Sequence, residues 1–202
     1  MPQHARSRAA EILLFASNFL RHPHMLGSII PSSRFLVNQV LAPIDWEQAK
    51  VIVEYGPGVG TLTYEILRRM RGDAHLVVIE TNRDFVQFLR KSLQDRRLHV
   101  EHDSATEVQA VLQRLGLPSA NYIISGIPLG SMPEPVQADI AEKSRDALEH
   151  KGQFLVYQFT SRVLPVLQRS FRHVRRSFER RNIPPAKLFV CATEVPGGWE
   201  VS

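Results

Sequence analysis

Cysteine is almost absent from this chain of 202 residues: Cys191 stands alone. Neither a disulfide framework nor a cysteine zinc cluster can be built from it, and a reducing, cytoplasmic setting is expected. Long hydrophobic runs are missing too. The longest apolar run near the start, Ile12 to Ala16, falls far short of the ~20 residues that cross a bilayer. No small-residue cleavage site follows it, so no secretory leader is expected. Internal repeats, low-complexity tracts and long linkers are likewise missing. His22, His24, His99 and His102 lack metal-ligand spacing, and no metal is expected.

What is present suits one globular domain. A composition 44% hydrophobic and 22% charged can bury an ordinary core, which excludes wholesale disorder. The net charge is +5, and its placement matters more than its size. Eight basic residues lie between Arg162 and Lys187 (Arg162, Arg169, Arg172, Arg175, Arg176, Arg180, Arg181, Lys187) against the single acid Glu179. A basic stretch on an otherwise near-neutral chain points to an anionic partner, or to a solvated, charge-guarded strand edge.

Helical spacing of Ala9, Ile12, Leu13, Ala16, Phe19 and Leu20 predicts a helix over residues 4–20, ended by His22-Pro23. A second helix is predicted from Ser32 and Ser33 to Leu41, stopped by Pro43. The pattern then alternates. Short β-branched runs at 51–53, 76–79, 98–100 and 122–124 are each followed by a helical stretch, at 61–71, 82–93, 106–115 and 133–149. A fifth strand is predicted at 154–159. The runs 171–178 and 188–193, joined too briefly for a helix, should pair antiparallel. The expected fold is α/β: a Rossmann-like, doubly wound, seven-stranded sheet, mostly parallel, with a C-terminal antiparallel hairpin and additional N-terminal helices. Residues 1–45 are expected to form an amphipathic element, as membrane anchor or lid, and residues 46–202 the main domain.

The strongest motif runs Val51-Ile52-Val53-Glu54-Tyr55-Gly56-Pro57-Gly58-Val59-Gly60-Thr61. A strand enters three glycines at alternate positions and then a helix, so that backbone can approach a ligand closely. Dinucleotide enzymes place a pyrophosphate on such a helix start. Here an acid precedes the loop, and an acid suits an ammonium-bearing ligand without phosphate. S-adenosylmethionine is that ligand. Glu80, with Thr81 beside it, falls where a carboxylate accepts both ribose hydroxyls, and Asp103-Ser104 falls where the adenine amino group is expected. Glu54, Gly56, Pro57, Gly58, Gly60, Thr61, Glu80, Thr81, Asp103, Ser104, Ser125 and Gly126 are therefore the expected cofactor set, with S-adenosylhomocysteine as product.

Gly56-Pro57-Gly58-Val59-Gly60-Thr61-Leu62-Thr63 resembles the loop of rRNA adenine dimethyltransferases. The wider run, Phe19-Leu20-Arg21, Gly27 through Arg34, and Arg181-Asn182-Ile183-Pro184-Pro185, more closely resembles bacterial phospholipid N-methyltransferases. That resemblance implies stepwise methylation of the amine of phosphatidylethanolamine toward phosphatidylcholine, by an enzyme peripheral on the cytosolic face of the membrane. Adenine-methylating enzymes resemble one another in carrying Asn or Asp, then Pro, then an aromatic after the fourth strand, to clamp a flipped base. Here the run is Ser125-Gly126-Ile127-Pro128-Leu129. That departure argues against nucleic acid as partner and suits a flexible alkyl amine.

Tyr157 and Ser125 are the candidate catalytic residues, Tyr157 to orient the amine. Phe19, Tyr122, Tyr157 and Phe178 are possible aromatic walls for a methylated ammonium. Ser33, Arg34, Ile127, Tyr157, Arg180 and Arg181 are the candidate substrate contacts, the arginines for phosphate. Ile12, Leu13, Leu14, Phe15, Phe19 and Leu20, flanked by Arg6, Arg8 and Arg21, can lie on a bilayer containing anionic lipids.

Overall fold

The computed structural model describes residues 34–182 and 184–194. The predicted helix over 4–20 and the residues Phe19, Ser32, Ser33 and Ile183 lie outside them.

Within the described residues the chain alternates strand and helix. Its elements are α1 (Arg34–Leu41), β1 (Val51–Tyr55), α2 (Thr61–Arg69), β2 (His75–Glu80), α3 (Arg83–Ser92), β3 (Leu98–His102), α4 (Val108–Arg114), β4 (Ala120–Ser125), α5 (Glu134–Ala147), β5 (Leu148–Gln158), α6 (Leu164–Ser170), β6 (His173–Glu179) and β7 (Ala186–Ala192). The sheet runs β3-β2-β1-β4-β5-β7-β6. Every pairing from β3 to β5 is parallel, while β7 is antiparallel to both β5 and β6.

Successive residues of β1 point to opposite faces, and the core divides accordingly. Val51, Val53 and Tyr55 pack with side chains of α4, α5 and α6. Ile52 packs with Leu36, Val37, Val40 and Leu41 of α1, and with α2 and α3. Helix α1, expected to belong to a separate N-terminal element, is thus built into the same core as the sheet. Strand order reverses between β1 and β4, and the crevice above such a switch point is where open α/β sheets bind ligands.

Three local differences from the sequence expectation have clear causes. Helix α6 was not expected, because Pro165 reads as a breaker; it sits in the first turn, where its missing N–H costs nothing. The expected strand over 171–178 begins instead at His173, since Phe171 closes α6 and is buried in the core. Strand β5 starts at Leu148, inside the expected helix, because Leu148 pairs with Ala120 before the register shifts. Gly152 tolerates that irregularity: a β-carbon there would meet Ala120 O at 2.9 Å.

Candidate functional site

The carboxyl ends of β1, β2, β3 and β4 meet at one edge of the sheet. The glycine loop begins where the β1 ladder ends: Gly56 N–H donates to Ile79 O (3.0 Å), and Gly126 N–H donates to Tyr55 O (3.0 Å). Gly56, Gly58 and Gly60 have φ of 65°, 57° and 82°, a left-handed conformation that side chains resist. Gly56 is doubly constrained, because a β-carbon there would lie 2.5 Å from Ile127 Cγ2. Ile127 therefore closes directly onto the loop. Thr61 opens α2 immediately after it.

Two buried acids flank this turn. Glu54 is 2% exposed, and its Oε2 accepts from Thr63 Oγ1 at 2.7 Å. Burial, partly offset by the Thr63 hydrogen bond and reinforced by the Glu80 charge, pushes its pKa up to about 8. Glu80 accepts from Asn82 N–H at 2.8 Å. Burial raises its pKa as well, although the amides of Asn82, Gly58 and Thr81 and the Thr81 hydroxyl favour its charged form. The site thus holds two costly carboxylates with no cation beside them among the described residues, an arrangement that a cationic ligand relieves. Asp103 is half-buried: Oδ1 accepts from Ser104 N–H (2.9 Å), and Oδ2 lies 3.3 Å from Arg114 Nη2. Ser104 caps the short turn Ala105–Glu107 by accepting from Thr106 N–H. Thr81 is exposed, and its carbonyl lies 3.0 Å from His102 Nε2.

Opposite the glycine loop, Tyr157 fills the space in front of Gly126, its hydroxyl 2.3 Å from where a β-carbon would sit. Ser125 is fully buried, and its Oγ has no hydrogen-bond partner. Leu129 is fully buried in the core beneath, so it presents nothing to the crevice. The sequence reading missed Gln158. This buried side chain donates Nε2 to Ile127 O and Tyr157 O (both 2.8 Å) and accepts from Gly130 N–H at 3.2 Å. It pins the loop after β4 to the end of β5. The available signal was a lone amide in the otherwise apolar run 154–159.

The substrate candidates separate. Arg34 and Arg181 converge on the Phe35 ring, at 5.0 Å and 4.3 Å from its centroid. Glu179, buried at the end of β6, fixes the exposed Arg181 in place by accepting from its N–H (2.7 Å) and its Nε (3.2 Å). Arg180 is exposed as well, but makes no ion pair and no ring contact of this kind among the described residues. Two of the aromatic candidates are corrected. Tyr122 lies toward the opposite end of the sheet, its hydroxyl accepting from Asp45 N–H at 3.0 Å. Phe178 is exposed on the edge strand β6. Among the described residues no group of three or more His, Cys, Asp or Glu could hold a metal ion, and no helix is long and apolar enough to cross a membrane.

A positive-φ glycine turn between two buried carboxylates, placed at the switch point of a 3-2-1-4-5-7-6 sheet, defines the class of S-adenosylmethionine-dependent methyltransferases. The chain belongs to the ribosomal RNA adenine dimethylase family, whose model matches residues 15–132. It is 33% identical over 187 residues to the ornithine lipid N-methyltransferase of Singulisphaera acidiphila, covering 90% of this chain and 95% of that protein. It is also 33% identical to the ribosomal RNA small subunit methyltransferase A of Alcanivorax borkumensis, but over 72 residues only, 36% of this chain and 25% of that protein. The fold matches that of human methyltransferase-like protein 13 in complex with S-adenosylhomocysteine, with a TM-score of 0.60 at 16% identity, covering 90% of this chain and 85% of that one.

Proposed function

We propose that the protein is a lipid N-methyltransferase that methylates the amine of an aminolipid headgroup, phosphatidylethanolamine and its mono- and dimethyl intermediates, toward phosphatidylcholine at a membrane surface. The observation that carries this reading is the pairing of Gly126 with Tyr157 above a buried Leu129. A planar base needs an amide to accept from its amine and an aromatic to stack on its face. Glycine stands at the first of those positions and a core leucine at the second. In their place the Tyr157 hydroxyl stands against Gly126, and a single hydroxyl group suits a small tetrahedral ammonium. The similarity to an ornithine lipid N-methyltransferase across nearly the whole of both chains supports the same substrate class.

When bound, the cofactor supplies an electrophilic methyl group on a sulfonium. The remaining work falls to this chain. Glu54, Gly56, Pro57, Gly58, Gly60, Thr61, Glu80, Thr81, Asp103, Ser104, Ser125 and Gly126 would hold the cofactor, Glu54 and Glu80 contributing negative charge from below and beside the loop. An alkyl ammonium has a pKa near ~10.4 and attacks only after losing a proton. Exclusion of water by Ile127 and Tyr157, next to a positive sulfonium, lowers that pKa. The Tyr157 hydroxyl would accept from the ammonium and, once its proton has passed to solvent, hold the neutral nitrogen in line with the methyl group that the bound cofactor would supply. Arg34 and Arg181, gathered on Phe35, would hold the headgroup phosphate.

The test is direct. The protein is incubated with methyl-labelled S-adenosylmethionine and vesicles of phosphatidylethanolamine, vesicles of an ornithine lipid, or ribosomal RNA. Label in phosphatidylethanolamine supports the reading in full, and label confined to the ornithine lipid keeps the class and corrects the headgroup. Label in RNA alone overturns it in favour of the adenine-methylating alternative.

A further inference from the structure

Strand β6 is the outermost strand of the sheet, and His173 to Ser177 are partly or fully exposed. Residues two apart on a strand share a face. Arg176 and Phe178 therefore lie side by side, on the face where their register partners are Phe189 and Lys187. Lys187 Nζ is held 2.9 Å from Ser161 Oγ, which brings Arg162, the next residue, to the same face. Phe178 is 48% exposed, one of few large hydrophobic side chains left open. Arg162, Arg172, Arg176 and Arg180 are exposed and make no ion pair among the described residues. Arginines along an edge strand guard it against pairing with another chain. An open phenylalanine among them works against that purpose, so guarding does not account for the pattern.

The position of this face completes the argument. Phe178 pairs with Lys187, and Lys187 pairs with Gln158 at the carboxyl end of β5. Phe178 is thus level with the sheet edge at which the glycine loop and Tyr157 sit, two strand spacings or roughly 10 Å from Gln158. We infer that the outer face of β6, with Arg162, Arg176, Arg180 and Lys187 around Phe178, is a docking surface for an anionic bilayer. In it the arginines meet lipid phosphates and the phenyl ring enters the headgroup layer. Docking this edge brings the crevice mouth down to the headgroups and shortens the path a lipid amine must travel. The inference rests on the aminolipid reading for its purpose, but the surface chemistry stands independently: an aromatic flanked by unpaired arginines fits a charged, greasy interface better than a nucleic-acid backbone.

The experiment is vesicle flotation of the full chain and its Arg176→Glu, Arg176→Gln and Phe178→Ala variants. Vesicles contain phosphatidylethanolamine with or without phosphatidylglycerol, and RNA binding is measured alongside. Methyl transfer to a dispersed short-chain phosphatidylethanolamine serves as a control. The expected result is a loss of affinity for anionic vesicles on the order of tenfold for Arg176→Glu, a change of two charge units, with smaller losses for Arg176→Gln and Phe178→Ala. Unfolding temperature, S-adenosylhomocysteine affinity and activity on dispersed lipid stay unchanged. Vesicle binding by Arg176→Glu and Phe178→Ala equal to wild type overturns the surface, as does a loss confined to RNA binding. Wild-type inactivity on dispersed lipid would instead overturn the aminolipid reading, and flotation would still decide the surface.

Discussion

The Tyr157 ring occupies the space that a side chain at position 126 would need: a β-carbon on Gly126 would lie 2.3 Å from the hydroxyl and 2.9 Å from Cζ. Tyrosine on β5 and glycine after β4 therefore form one unit. Gly126→Ala must displace the ring, and a shift of about 1 Å at a reacting centre can cost about 100-fold in rate. A fall of that order in kcat is expected, with a smaller change in S-adenosylhomocysteine affinity by calorimetry. Tyr157→Phe keeps the ring and removes only the oxygen; a kcat loss of about tenfold or more identifies the hydroxyl as the group that orients the amine.

Gly56 carries a different constraint. At φ 65° an L-residue is strained, and its β-carbon would also meet Ile127 Cγ2 at 2.5 Å. Left-handed backbone costs about 1–2 kcal/mol for a residue other than glycine. Gly56→Ala should lower the melting temperature by several degrees, about 2–4 °C per kcal/mol for a chain of this size. It should weaken cofactor binding by at least about tenfold, because the new methyl must displace Ile127 or distort the turn that the cofactor is to meet. Calorimetry and thermal unfolding check both.

Glu54 makes the site proton-linked. Its folded pKa is raised from 4.5 to about 8, so between these values the folded chain keeps a proton that the unfolded chain has lost. Stability of the cofactor-free protein must then fall as pH rises through that window. A cationic cofactor favours the ionised carboxylate, so cofactor affinity should rise from about pH 6 to pH 8 and level off above. Glu54→Gln should flatten both profiles relative to wild type, raising the melting temperature of the cofactor-free protein at pH 8 while weakening cofactor binding there. Parallel profiles for the two proteins would remove Glu54 from this role.

Gln158 ties three backbone groups together, at Ile127, Tyr157 and Gly130. Gln158→Leu removes those bonds and leaves buried polar groups unpaired, at about 1–3 kcal/mol each before relaxation. The expected outcome is a lower melting temperature, together with a kcat loss that Gln158→Glu partly restores through Gly130 N–H.

Much of the fold was legible because hydrophobic runs at 51–53, 76–79 and 122–124 are buried on both faces and have no alternative to a parallel sheet. Helix α6 was hidden because a proline in a first turn and a proline inside a helix read identically in sequence. The glycine turn was legible because its backbone geometry dictates glycine, and Glu54 and Glu80 stood out as acids closing apolar runs. Which arginines gather was not: Arg180 and Arg181 are neighbours in sequence, and only the buried Glu179 and the Phe35 ring distinguish them. Tyr122 and Phe178 were misplaced for a related reason, since composition says nothing about which end or edge of a strand a side chain occupies.

The most direct measurement of the central claim is a single-tube competition. Phosphatidylethanolamine vesicles and ribosomal RNA are mixed in equal amounts with the protein and methyl-labelled S-adenosylmethionine, and the label is partitioned by extraction. Label in the lipid phase as mono-, di- and trimethylated headgroup, lost on Gly126→Ala, is the expected result. Label in methylated adenine with none in lipid would contradict the account.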